Sequence, residues 1–162
     1  MFNFRYVLLG DQMIPSRILV AFDGSDLSTR ALRMALGIGK AVDAEVHAVY
    51  VLKISDYLRF TSHSGPMERS EQISRLISKH ILEQGTMMER EIAGIAAEFG
   101  LPVYTHKKIG DPREEILSLS RIIDADLIIL GSTGAGGLKK ILLGSVSTFV
   151  VRNSPVSTVI VR

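Results

Sequence analysis

Short apolar runs alternate along the chain with stretches whose apolar residues recur every three or four positions. Arg17-Ile-Leu-Val-Ala-Phe22 is one such run and ends on Asp23-Gly24-Ser25, the pattern of a buried parallel strand running into a turn. Leu27, Ala31, Met34, Ala35, Ile38 and Val42 then fall at helical spacing, with Ser25 or Asp26 placed to cap the helix. Glu45-Val-His-Ala-Val-Tyr-Val-Leu52, rich in β-branched and aromatic residues, completes a βαβ unit. Residues 53–66 gather Ser, Asp, Thr, Gly and Pro and read as a flexible excursion. A long helix follows to Phe99, with Ile73, Ile77, Ile81, Met88, Ile92, Ile95 and Phe99 on one stripe; Gly85 marks a bend or break in it, and Gly100 and Pro102 end it.

The third strand, Val103-Tyr-Thr-His-Lys-Lys-Ile109, has too few apolar residues for a central position and belongs at a sheet edge. Asp111-Pro112-Arg113-Glu114 starts a helix that runs to Ile123: Asp caps, Pro fits the first helical position, and Glu can reach back. Asp126-Leu-Ile-Ile-Leu-Gly131 and Pro155-Val-Ser-Thr-Val-Ile-Val-Arg162 are the last two strands. Strands separated by helices imply an α/β fold with a single doubly wound parallel sheet and helices on both faces. Ligands bind such sheets beyond the carboxyl ends of the strands, where the strand order reverses, and Asp23 and Gly131 both sit at strand ends.

Composition narrows the class. A chain of 162 residues with 46% hydrophobic content fills one core, so one domain is expected. Nineteen basic residues against 17 acidic ones leave a net charge of +2 with no basic face, which argues against nucleic acid as a partner. The absence of cysteine removes disulfide scaffolds, thiolate metal sites and cysteine nucleophiles, and fits a reducing cytoplasm. The apolar start MFNFRYVLLG is broken by Arg5 and stops at Asp11, too short for a membrane span and without the pattern of a secretory signal. Residues 1–16 are expected to be an extension ahead of a domain at 17–162; for residues 1–12, which precede Met13, the alternative is a start codon assigned too early.

The segment Gly131-Ser-Thr-Gly134-Ala-Gly-Gly-Leu-Lys-Lys-Ile-Leu-Leu-Gly144-Ser145-Val146-Ser147 carries the candidate chemistry. Glycines directly after a strand can take positive φ and bring their amides close to an anion. Gly144-Ser145 then opens a helix whose free N–H groups and dipole favour phosphate, with Ser145 and Ser147 as further hydroxyl donors.

On these residues the chain resembles the universal stress protein family, in its ATP-binding branch. That branch spaces Gly, two residues, Gly, nine residues, then Gly-Ser or Gly-Thr, and Gly131, Gly134, Gly144 and Ser145 satisfy each position. Val20-Ala-Phe-Asp-Gly-Ser25 looks like the family's first strand and turn, and Gly110-Asp-Pro-Arg-Glu-Glu-Ile116 like its later helix start. The resemblance implies the adenine nucleotide alpha hydrolase-like fold, five strands in the order 3-2-1-4-5. It also implies ATP as ligand, with adenine and ribose near Ala21, Phe22, Asp23 and Val51. The phosphates would rest on Gly131, Ser132, Gly134, Gly144, Ser145, Val146 and Ser147, bridged by Mg or Mn. Asp23 has an alternative role as a turn cap, and Val51 one as core. Phe22 is bulkier than the family's usual residue, and alternation should point it away from Asp23.

Competing nucleotide motifs fail. Neither Lys139 nor Lys140 follows a glycine as a P-loop requires, and the turn after Phe22 holds one glycine where a dinucleotide-binding fingerprint needs three. ATP-pyrophosphatases share a related sheet, but their serine- and glycine-rich loop after the first strand is missing. His47, His63, His80 and His106 are scattered without metal-ligand spacing and read as structural or exposed. Lys139 and Lys140 could attract a triphosphate or simply be solvated. No residue stands out as a general base, so the chain reads as a nucleotide-dependent regulator or sensor with at most slow ATP hydrolysis. The alternative is a dimeric interaction module that uses no nucleotide. Val156, Val159, Ile160 and Val161 make the last strand too apolar for an exposed edge, and the resemblance implies a homodimer formed through it.

Overall fold

A computed structural model describes residues 7–9, 12–53, 68–134 and 143–162. The elements in chain order are β1 (Val7–Leu9), β2 (Gln12–Ile14), β3 (Arg17–Ala21), α1 (Asp26–Val42), β4 (Glu45–Leu52), α2 (Glu68–Phe99), β5 (Val103–Ile109), α3 (Pro112–Ile122), β6 (Leu127–Gly131), α4 (Ser145–Asn153) and β7 (Ser157–Val161). β1 and β2 pair antiparallel with each other, in a sheet apart from the main one. The main sheet has five parallel strands in the order β5-β4-β3-β6-β7, the 3-2-1-4-5 arrangement implied by the resemblance. Most of the excursion expected at 53–66 lies outside the described residues.

Two apolar layers flank the sheet. Ile18 and Val20 of β3, Val46, Ala48 and Tyr50 of β4 and Ile129 of β6 face α1 and α2, whose Ala31, Leu32, Leu36 and Ile92 close over them. Leu19, Val49, Ile128 and Leu130 face the other way, onto Ile116, Leu117 and Leu119 of α3 and Val150 of α4. The division follows from topology. The chain first steps outward from β3 to β5 and then returns to the far side of β3, and right-handed crossovers in opposite directions put their helices on opposite faces. Because β3 is covered on both faces, Ile18, Leu19 and Val20 are all fully buried, which is why its sequence reads as an unbroken apolar run.

The polar strand β5 is an outer strand, as its composition requires, and β7 forms the other edge. Asp126, buried just before β6, accepts from the Ser16 and Arg17 amides at 2.7 and 2.9 Å and so sets where β3 begins beside β6. Asp111 caps α3, its Oδ1 accepting from the Arg113 amide at 2.9 Å, and Ser25 caps α1.

Gly85 does not break α2, which runs without interruption from Glu68 to Phe99. Its missing side chain instead makes room: a Cβ there would lie 3.2 Å from both Tyr50 Oη and Lys107 Nζ. The stripe expected on α2 is found in Ile81, Met88, Ile92, Ile95 and Phe99, which pack on the core; the side chains of Ile73 and Ile77 lie outside the described set.

Two helical glycines give opposite expectations. A Cβ on Gly39 would sit 2.6 Å from Val46 Cγ2 and 3.1 Å from the Ala44 carbonyl, whereas one on Gly94 would meet nothing within 4 Å. Gly39→Ala should therefore cost about 1–3 kcal/mol by overpacking, and Gly94→Ala should stabilise by about 0.5–1 kcal/mol through helix propensity. Urea unfolding of the two variants checks the pair.

Candidate functional site

β3 and β6 lie side by side at the centre of the sheet, and the chain leaves them in opposite lateral directions. That divergence opens a crevice at their carboxyl ends. Asp23 stands there, two residues beyond β3 and exposed. Its Oδ1 accepts from the Ser25 amide at 3.1 Å and from Ser25 Oγ at 2.6 Å, and its own amide donates to Ser28 Oγ at 3.3 Å. The turn-capping role considered for Asp23 is thus real. It leaves Oδ2 directed at the loop after β6, where a Cβ on Gly134 would come within 2.5 Å of it.

Gly131 and Gly134 do not take the positive φ expected of them. Among the described glycines, positive φ occurs at Gly24, Gly100 and Gly110, and not at Gly131 or Gly134; Gly144 has φ −73°. Their lack of a side chain is a matter of space. A Cβ on Gly131 would lie 2.9 Å from Leu27 Cβ and 3.1 Å from the Leu27 carbonyl carbon, so the start of α1 rests directly on the end of β6. Gly134 gives its space to the Asp23 carboxylate. Gly144 has only ordinary contacts, the nearest at 3.4 Å.

Ser132 holds the start of α4 in place. Its carbonyl accepts from the Gly144 amide at 2.7 Å and from Ser147 Oγ at 2.7 Å, while its own amide donates to the Val161 carbonyl at 2.8 Å. Ser147 is buried and its hydroxyl also donates to the Gly144 carbonyl at 3.0 Å. This corrects the expectation that Ser147 offers its hydroxyl to a ligand. The amides of Ser145, Val146 and Ser147, in the first turn of α4, have no acceptor within the helix, and Gly144 supplies no side-chain cap.

Phe22 is buried in the layer under α1 and α2, pointing away from Asp23 as alternation requires, and its amide donates to the Val49 carbonyl at 2.8 Å. Ala21 and Val51 pack on the opposite layer. Since Ala21 pairs with Val49, Val51 projects past the end of β3.

A cavity of about 500 Å³ lies at this end of the sheet, lined by Lys53, Gly110, Asp111, Pro112, Arg113, Ser145 and Val146. Only Ser145 and Val146 belong to the set read from the sequence; the contributions of Lys53, Asp111 and Arg113 were missed. Lys53 follows Val51 by two residues, which on an extended strand places it on the same face. Asp111 and Arg113 stood out only as a helix start. Arg113 Nε lies 3.0 Å from each Asp111 oxygen and its Nη2 also bonds to Oδ2, which together hold the Asp111 carboxyl down to about 2. The same guanidinium lies 5.7 Å from the Phe149 ring centre, linking the start of α3 to the middle of α4.

His47 and His106, taken as scattered in the sequence, are brought together with their nitrogens 2.9 Å apart. Lys139, Lys140 and His63 lie outside the described residues, as does the His80 side chain. Among the described residues no group of three or more His, Asp or Glu could hold a metal ion, and no helix is long and apolar enough to cross a membrane.

The model of the universal stress protein family matches residues 15–162. A universal stress protein of Methanocaldococcus jannaschii is 33% identical over 156 residues, which cover 96% of this chain and 87% of the relative. Among solved structures, a universal stress protein in complex with cAMP has a TM-score of 0.63 at 23% identity, covering 92% of this chain and 98% of its own. The universal stress protein from Archaeoglobus fulgidus in complex with dAMP has a TM-score of 0.63 at 20% identity, covering 93% and 100%. At these identities the two structures share the fold with this chain.

The glycine geometry predicts that Gly131→Ala destabilises by about 1–3 kcal/mol, because Leu27 backbone cannot retreat. Gly144→Ser, in an extended conformation open to any residue, should be neutral or stabilise by up to about 1 kcal/mol by capping α4. Thermal unfolding of both variants measures the contrast.

Proposed function

Because the chain belongs to the universal stress protein family, we propose that it binds ATP at the carboxyl ends of β3 and β6 and acts as a nucleotide-dependent regulator or sensor. The observation that carries this reading is the first turn of α4, whose unpaired amides are fixed by the Ser132 carbonyl beside the cavity and close to the loop that meets Asp23. Converging amides at a helix start favour phosphate. The phosphates take the backbone of Gly131, Ser132, Gly134, Gly144, Ser145, Val146 and Ser147, and the adenine and ribose take Ala21, Phe22, Asp23 and Val51. Phe22 contributes through its backbone alone, since its ring is buried. Lys53 and Arg113 add positive charge to the cavity wall. Mg or Mn is held through the phosphate oxygens rather than by a protein ligand cluster.

Adenine nucleotides in the cAMP- and dAMP-bound relatives support this ligand class. Turnover is slow at most: Asp23, the acid at the strand ends, already accepts two hydrogen bonds from Ser25, which makes it a poor base for activating water. The same reading makes residues 1–16 an extension, supported by a family match that begins at residue 15 and by β1 and β2 pairing with each other. It also makes the chain a homodimer through β7, an outer strand on which Val159 and Ile160 remain half-buried, as does Val156 just before it.

Calorimetric titration of nucleotide-free protein with Mg-ATP should give saturable binding at one site per chain. Gly144→Asp caps α4 but sets a carboxylate where phosphate would lie, so affinity should fall at least about tenfold while the unfolding midpoint holds or rises. Wild-type protein that takes up no nucleotide at millimolar Mg-ATP would refute the ATP reading. Sedimentation equilibrium should return twice the chain mass, and a monomer at every concentration would exclude the β7 dimer.

A further inference from the structure

Away from the nucleotide reading and independent of it, β4 and β5 carry a cluster that the sequence concealed. Their parallel register sets His47 opposite Tyr104 and Val49 opposite His106, so both histidines lie on one face near the outer edge of the sheet. His47 is buried, stacks on the Tyr104 ring at 4.8 Å, and meets His106 with Nδ1 2.9 Å from the other ring's Nε2. The two rings are nearly coplanar, 17° apart with centres at 5.2 Å, the arrangement of an in-plane imidazole–imidazole hydrogen bond. On its far side His47 Nε2, buried and without a hydrogen-bond partner, lies 3.6 Å from a Glu45 oxygen that also accepts from Arg17 Nε at 3.2 Å.

We infer that His47 and His106 form a proton-sensing pair that accepts one added proton and, on taking a second, releases the outer strand β5 from β4.

Proton counting gives the reason. In the neutral pair a single hydrogen lies between the two facing nitrogens, and a hydrogen on His47 Nε2 points to Glu45. One added proton occupies an outer nitrogen and leaves the inner bond intact. A second must occupy an inner nitrogen, so that two N–H groups face each other at 2.9 Å and two positive rings share the site. The hydrogen bond is then lost and replaced by repulsion. The charged and titratable groups around the pair are Arg17 of β3, Glu45 of β4, Tyr104 and Lys108 of β5, and Asp124 after α3, which meets Arg17 at 3.9 Å. Glu45 is the acidic group nearest His47, and it tolerates the first charge better than the second.

Burial lowers the proton affinity of both rings; Glu45 partly offsets this at His47, while His47 and Lys108 lower His106 further. With both folded values below the ordinary 6.5, the stabilisation is complete above about pH 6.5 and is lost as pH falls through the folded values. β5 responds because, among the described strands, it pairs with β4 alone.

Two measurements test the pair. In NMR titration of wild-type protein, the His47 and His106 rings should titrate together in two steps, the second at least about one pH unit below the first. Two independent single steps at ordinary histidine values would overturn the inference. In native-state hydrogen exchange, the protection of β5 amides relative to β3 amides should fall about tenfold for each pH unit between the first and second steps and level off below the second, as one extra proton in the open state requires. His106→Gln keeps a donor to His47 but cannot ionise, and should abolish this extra acid dependence. Retention of the full wild-type dependence in that variant would also refute the pair, and if the variant does not fold, the wild-type titration decides alone.

Discussion

The steric limit at Gly131 sets the terms for everything at the carboxyl ends of the strands. The end of β6 and the start of α1 approach until no side chain fits between them. That contact brings the turn after β3 and the loop after β6 into reach of each other, so that Asp23 fills the space left by Gly134. It also fixes the stretch from which Ser132 reaches across to Gly144 and Ser147. Close packing accounts for Gly131 and Gly134, and the proposed phosphate contacts would use the same two positions without conflict.

Much of the architecture was legible in the chain because it rests on periodicity and polarity. The apolar runs marked the central strands, and Asp111-Pro112 marked a helix start. The polar β5 announced an edge. These features are local, or depend only on whether a residue meets water. What the sequence hid depends on who the neighbours are. Gly85 read as a helix breaker because propensity is local, whereas its reason is the approach of Tyr50 and Lys107 from the strands. Gly131 and Gly134 suggested positive φ by their type, and neither takes it.

The candidate site was read from one of its sides. Gly131, Gly134, Gly144 and Asp23 were visible as strand-end residues, and the structure does bring Asp23 against Gly134. Lys53, Asp111 and Arg113 were not, because their place in the cavity follows from β4 and β5 ending beside α4. Ser147 was identified by position but misread by side chain: helix geometry turns its hydroxyl inward, where the Ser132 carbonyl takes it. The histidine pair was invisible for a similar reason, since 59 residues separate two rings that only strand register aligns.

The Ser132 carbonyl has a consequence for how this surface can change. By accepting from Gly144 and Ser147 together, it closes the chain around residues 133–143 and secures both ends of that segment outside it. The start of α4 is then set by contacts that the intervening residues do not make. Loop closure depends only weakly on length, so substitutions at 135–143 leave the start of α4 in place, while Gly134 stays bound to the space that the Asp23 carboxylate takes. Diversification can proceed there while the scaffold that presents it stays constant.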